Sequence, residues 1–178
     1  MLHEELIALA LECGATKATF IRAQDIVMDA NFRDICASNG CGLYGKCWVC
    51  PPDIGPIDEL MEKVRSFEYG LLYQTVGDIE DSYDIEGMNE VGAQHEKNSI
   101  RLEGRVREMG SRHLHLSCGG CHLCERCAKR DNEPCRHPDV ALHPMEGYGI
   151  DVFNTTKPTE LKYINGQNTV TYFGIVLF

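Results

Sequence analysis

Apolar residues recur along the chain at helical and at alternating spacings, and the changes between them mark out its elements. Leu2, Leu6, Leu9 and Cys13 fall on one helical stripe, with Gly14 placed to cap its end. On that stripe Cys13 reads as a small buried hydrophobe. Residues 15–27 carry a strand, with Ala18 and Phe20 alternating against Lys17 and Thr19. Pro56 is suited to open a helix whose buried stripe is Ile57, Leu60, Met61 and Val64. Residues 69–76 form a nearly continuous apolar strand, of the kind buried on both faces. The longest periodic segment spans residues 85–109. Its stripe mixes Met88, Leu102 and Val106 with Gly92, His95 and Ser99, so close packing is expected in its middle. His95 is a candidate site residue on this face, but it reads first as a hydrogen-bonded core or boundary histidine. After Gly110, Leu114 and Leu116 alternate with His113 and His115 in a half-buried strand; the two histidines are close enough to reach one ligand together, but the simpler reading places them on its polar face. A short helical piece follows over residues 145–152. Asn165-Gly166 is a turn signal, predicting a hairpin between residues 161–164 and 169–178.

The order is helix, strand, Cys loop, helix, strand, long helix, strand, Cys loop, hairpin. Strand–helix–strand connections favour right-handed crossovers and parallel pairing. The expected fold is therefore α/β: a small, mostly parallel sheet with packed helices and a C-terminal hairpin. One domain over residues 1–178 is expected, with cysteine-rich loops at 36–52 and 118–138 embedded in it. Both loops follow strands, which would deliver them to one end of the sheet, where α/β proteins place their ligands.

Composition narrows the chemistry. The net charge of −10 argues against a nucleic-acid partner, which wants a basic face, and allows docking to a basic protein patch. No apolar run reaches the length of a membrane span, and the start Met1-Leu2-His3-Glu4-Glu5 lacks the basic region of a signal peptide, so a cytoplasmic protein is expected. Ten cysteines in such a chain point to metal or redox work rather than disulfides. P-loop, dinucleotide-binding and nucleophile-elbow motifs are absent.

Half of the cysteines lie between Cys118 and Cys135, as Cys118-x2-Cys121-x2-Cys124-x2-Cys127-x7-Cys135. Consecutive thiols two residues apart, with one more at a distance, suit a cubane iron–sulfur cluster, whose corners lie several ångströms apart. Five thiols exceed the four that a cubane takes. The spacing permits Cys118, Cys121 and Cys124 with Cys135, or Cys121, Cys124 and Cys127 with Cys135. The other loop reads Cys36-x4-Cys41-x5-Cys47-x2-Cys50-Pro51-Pro52, with Gly40, Gly42 and Gly45 inside it. Glycines let a backbone bend close to an inorganic core with its N–H groups aimed at sulfur. Four thiols there signal a metal, either a cluster or zinc. Trp48, between Cys47 and Cys50, is placed to shield such a group from water.

Tyr44-Gly45-Lys46 before Cys47-x2-Cys50-Pro51-Pro52, then Gly120-Cys121-x2-Cys124-x2-Cys127-x7-Cys135-Arg136-x-Pro138, and finally Met145-Glu146-Gly147-Tyr148-Gly149-Ile150-Asp151-Val152, resemble the motifs of a family of small prokaryotic proteins. That family is described only as predicted metal-binding proteins of unknown function. The resemblance spans nearly the whole chain and implies metal binding. It matches Cys121, Cys124, Cys127 and Cys135 to the family's second motif and leaves Cys118 as an addition. The expected ligands are then Cys36, Cys41, Cys47 and Cys50 at one site and Cys121, Cys124, Cys127 and Cys135 at the other. Two [4Fe–4S] clusters would pass single electrons to a redox protein partner under anaerobic conditions. The alternatives are a cluster-dependent redox enzyme, with Arg136, His137, His143 and Glu146 as polar neighbours of its site, and a zinc-stabilised interaction module.

Overall fold

The computed structural model describes residues 3–178, so Leu2 lies outside the described residues. Helix α1 (His3–Glu12) buries Leu6, Leu9 and Ala10, and Cys13 just beyond it is 2% exposed. Gly14, at φ +107°, then turns the chain into β1 (Lys17–Arg22). Helix α2 (Phe32–Ala37) precedes the first cysteine loop, and α3 (Ile57–Arg65) follows it with Pro56 at its cap. Strand β2 (Tyr69–Asp78) leads to α4 (Ile85–Glu108), where the Asp84 carboxylate accepts from Gly87 N at 2.9 Å. Strand β3 (Leu114–Ser117) enters the second cysteine loop, which returns as the two-residue β4 (His143–Pro144). The predicted helical piece is a 3-10 turn at Met145–Tyr148 followed by α5 (Val152–Thr156), and β5 (Thr169–Leu177) ends the fold.

The five strands lie in the order β1-β2-β5-β3-β4. The sheet is mostly antiparallel, contrary to the expected parallel set; only β3 and β4 run parallel. The reason lies in β2. Leu72 faces a core shared with α3, α5 and the 3-10 turn, whereas Leu71 and Tyr73 face α1 and α4. A sheet covered by helices on both faces needs apolar residues at every position whichever way its strands run, so the continuous run does not fix polarity. The expected C-terminal hairpin is absent. Both edges of β5 are taken, by β2 and β3, and residues 161–164 pack as a loop with Leu161 buried beneath it.

Tyr73 pairs across the ladder with Gly174, and a Cβ built there would overlap the tyrosine ring and hydroxyl. Gly174→Ala is therefore expected to destabilise the protein by about 1–3 kcal/mol through overpacking. The urea midpoint reads this directly, and an unchanged midpoint would mean that the ring is free to move aside.

Candidate metal centre

The two cysteine loops meet, but strand direction does not bring them together. Strands β1 and β3 run opposite ways, since β1 and β5 are both antiparallel to β2 and β3 is antiparallel to β5. A stitch on the far side of the sheet does it instead. After β1, Met28 bridges Ile150, Asp29 N donates to Gly149 O at 2.7 Å, and Asp151 N donates to Val27 O at 2.8 Å. This carries the chain from the β1 edge to the neighbourhood of β4. There α2 presents Arg33 and Cys36. Arg33 donates to Gly55 O at 2.8 Å and Gly147 O at 3.4 Å, while its buried Nε–H has no partner among the described residues.

Cys47, Val49 and Cys50 form a small buried cluster, with Leu43, Cys121, Cys127 and Ala141 packed against it. The loops approach so closely at Gly120 that a Cβ there would overlap the Leu43 side chain. Three further contacts pin them. The Trp48 indole N–H donates to Glu133 O at 2.9 Å, Lys129 pairs with Asp53 at 2.6 Å, and the Lys129 ammonium stands 4.3 Å from the Trp48 ring centre. Trp48 thus acts as a clamp between loops, a role its position between two cysteines does not announce.

All ten cysteines are free thiols. Peptide N–H groups already point at several of the sulfurs. Val49 and Cys121 donate to Cys47, Leu123 donates to Cys121, and His137 N donates to Cys135 Sγ at 3.4 Å. The hydrogen bond from Cys50, with these N–H groups, pulls the Cys47 thiol down against the opposing effect of burial; the same bond and burial push Cys50 up. Cys36 and Cys41 lie close enough for their charges to act on Cys50. Cys121, Cys124, Cys127 and Cys135 line one small cavity, and Arg136 bonds Cys124 there. Cys118 instead lines a separate, larger cavity. Among the described residues no three His, Cys, Asp or Glu side chains converge on a point suited to a single metal ion.

The other candidates resolve differently. His95 is a core histidine, Nδ1 lying 2.9 Å from Thr75 Oγ1 and Nε2 3.1 Å from Phe173 O, and burial holds it neutral at about 4. His115 is not on a polar face; it is fully buried. Its Nδ1 donates to Glu103 Oε2 at 3.0 Å, and its Nε2 lies 2.7 Å from the Tyr73 hydroxyl. His113 reaches the same carboxylate at 3.2 Å, and Arg107 reaches it at 2.9 Å. The two histidines therefore share one partner, Glu103, which is buried on α4. His143 lies 3.0 Å from the Tyr148 hydroxyl. Burial raises the Glu146 carboxyl, whose charge acts on Cys36 and Cys118.

The five-stranded α/β scaffold packs two cysteine-rich loops against each other, and grouped cysteine thiolates are the donors that zinc and iron–sulfur sites use. Residues 19–178 match the model of the DUF2284 family, described as a predicted metal-binding protein, and the chain belongs to that family. No curated protein and no solved structure matches the chain. Among the described residues no helix is long and apolar enough to cross a membrane.

Proposed function

We propose that the protein binds two [4Fe–4S] clusters and passes single electrons to a redox partner. The observation that carries this reading is the common cavity of Cys121, Cys124, Cys127 and Cys135, set against the buried Cys47–Cys50 pair. Cys36, Cys41, Cys47 and Cys50 would hold one group and the cavity quartet the other. The surroundings suit such groups: N–H donors aimed at Cys47, Cys121 and Cys135, and the orphaned Arg33 Nε–H in the helix that carries Cys36. Donors of this kind stabilise anionic cluster sulfur and tune its potential. When bound, the clusters would supply one-electron exchange. The chain contributes the thiolates, the donors and a loop seam closed by Trp48. An acidic molecule of net charge −10 fits a cytoplasmic partner with a basic patch.

A second reading, a redox enzyme with its substrate beside one cluster, is favoured by a cavity of about 450 Å³ lined by Gly119 and Gly120, immediately before Cys121.

Protein purified without oxygen is expected to contain iron and acid-labile sulfide in equal amounts. It should show broad visible absorption that dithionite bleaches, and an EPR signal on reduction. Colourless protein holding zinc and no sulfide would overturn the cluster assignment in favour of a zinc-stabilised module.

A further inference from the structure

The cavity before Cys121 lies between the middle of α4 and the chain that leaves β3. Its volume, about 450 Å³, falls within the range of small-molecule sites. Its walls are fixed by the fold. Gly92 lets the Tyr172 ring stand against α4, since a Cβ there would lie 3.2 Å from the ring's Cζ. The Tyr172 hydroxyl then donates to Met88 O at 2.8 Å. His95 is held on both ring nitrogens by Thr75 and Phe173. Gly119, at φ +66°, makes a turn in the opposite wall that favours glycine.

The lining is selective in its chemistry. Ala93, Ile100, Leu123, Val140 and Leu142 make most of it apolar. Among the described residues that line it there is no lysine or arginine, Glu96 supplies the one carboxylate, and His122 adds a second imidazole beside His95. That carboxylate is anchored, because Glu96 Oε1 accepts from His122 N at 3.0 Å. His95, neutral at pH 7, adds no positive charge. An anion entering here would meet a carboxylate and neither a lysine nor an arginine, with the His122 imidazole as the remaining basic group. An ammonium group would find Glu96, with the Ser117 hydroxyl and Cys118 sulfur as further acceptors.

We infer that this cavity binds a small organic amine, its ammonium group on Glu96 and its apolar body against Ile100, Leu142 and the Tyr172 ring. The inference names the substrate class of the enzyme reading and rests on that reading for its redox chemistry. Binding itself involves no electron transfer.

Tryptamine and indole-3-propionate test this, being similar in size and opposite in charge. Both are titrated into oxygen-free, as-purified protein by calorimetry and saturation-transfer NMR, with iron and sulfide assayed on the same sample. Tryptamine is expected to bind and indole-3-propionate to bind at least about tenfold more weakly, through like-charge repulsion at Glu96. Glu96→Gln should bring the two affinities together. Ala93→Trp, at an exposed position on α4 whose side chain lines the cavity, should abolish binding without unfolding the helix. Failure of tryptamine to bind, equal binding of both probes to the wild type, or full binding by Ala93→Trp overturns the assignment. Iron-containing protein that binds neither probe sinks the pocket and leaves the clusters standing. Iron-free protein that binds tryptamine with these preferences does the reverse.

Discussion

Cys47→Ser is expected to strip the protein of at least half its metal and to release its two cysteine loops from each other. Cys47 is 2% exposed at the seam, where it receives N–H groups from both loops and packs beside Cys121 and Cys127. A serine oxygen is smaller and harder and is a poor ligand for iron or zinc where a thiolate is wanted. Thiolate metal binding contributes on the order of 10 kcal/mol to folding in zinc-finger peptides. That is comparable with the whole net stability of a typical domain, about 5–15 kcal/mol. The loss should nevertheless be local. The two main cores, on either face of β2 and β5, include none of the eight candidate ligand cysteines. Hydrogen exchange should therefore rise sharply across residues 36–55 and 118–142 while β2 and β5 stay protected. A chelator strong enough to remove the metal should reproduce the pattern in the wild type. Cys118→Ser provides the control, with metal content expected to hold. Full metal retention in Cys47→Ser would remove Cys47 from the ligand set and separate the two loops chemically.

What the sequence disclosed and what it hid follow from the range of each interaction. Local ones were legible. The apolar stripes of α3 and α4 and the stops at Gly14 and Gly110 depend on residues within a turn or two of one another. So did the burial of Cys13 and the hydrogen-bonded state of His95, each set by a helix face. The candidate site was legible as two groups of thiols, because loop spacing is itself local. Strand polarity was not, since a strand sandwiched between helix layers has the same apolar run in either direction. The hairpin failed for a related reason. Asn165-Gly166 is a sound turn signal, with Gly166 at φ +112°, but a turn does not reveal that β2 and β3 already occupy both edges of β5. The stitch of residues 27–29 to residues 149–151, and the Trp48–Glu133 clamp, join positions more than eighty residues apart and left no periodic trace. Glu103 was not singled out because nothing in its local sequence marks it. Only the fold brings His113, His115 and Arg107 to it.

Glu103→Gln is expected to destabilise the protein by about 3–5 kcal/mol at neutral pH, the usual cost of breaking a buried charged cluster by removing one partner. The Glu103 side chain is 9% exposed, and it accepts from Arg107, His113 and His115 at 2.9–3.2 Å. Glutamine replaces one acceptor oxygen with an amide nitrogen, which then faces N–H donors. The pH dependence separates this charge from packing. Burial alone would raise the Glu103 carboxyl above its ordinary 4.5, but the His115 hydrogen bond and charge, then the His113 and Arg107 bonds, outweigh it and hold the group at about 2. A folded value below the unfolded one means stability that is present above about pH 4.5 and lost as pH falls toward 2. At ~1.4 kcal/mol per unit that window contains roughly 3 kcal/mol. His95, held neutral at about 4, also weakens the fold on acidification, but it does so equally in both proteins and drops out of their difference. The stability gap between wild type and Glu103→Gln, measured by urea unfolding, should close as pH falls from about 4.5 toward 2, where the protonated carboxyl resembles the amide. A gap that stays constant across that range would mean that shape, and not ionisation, ties β3 to α4.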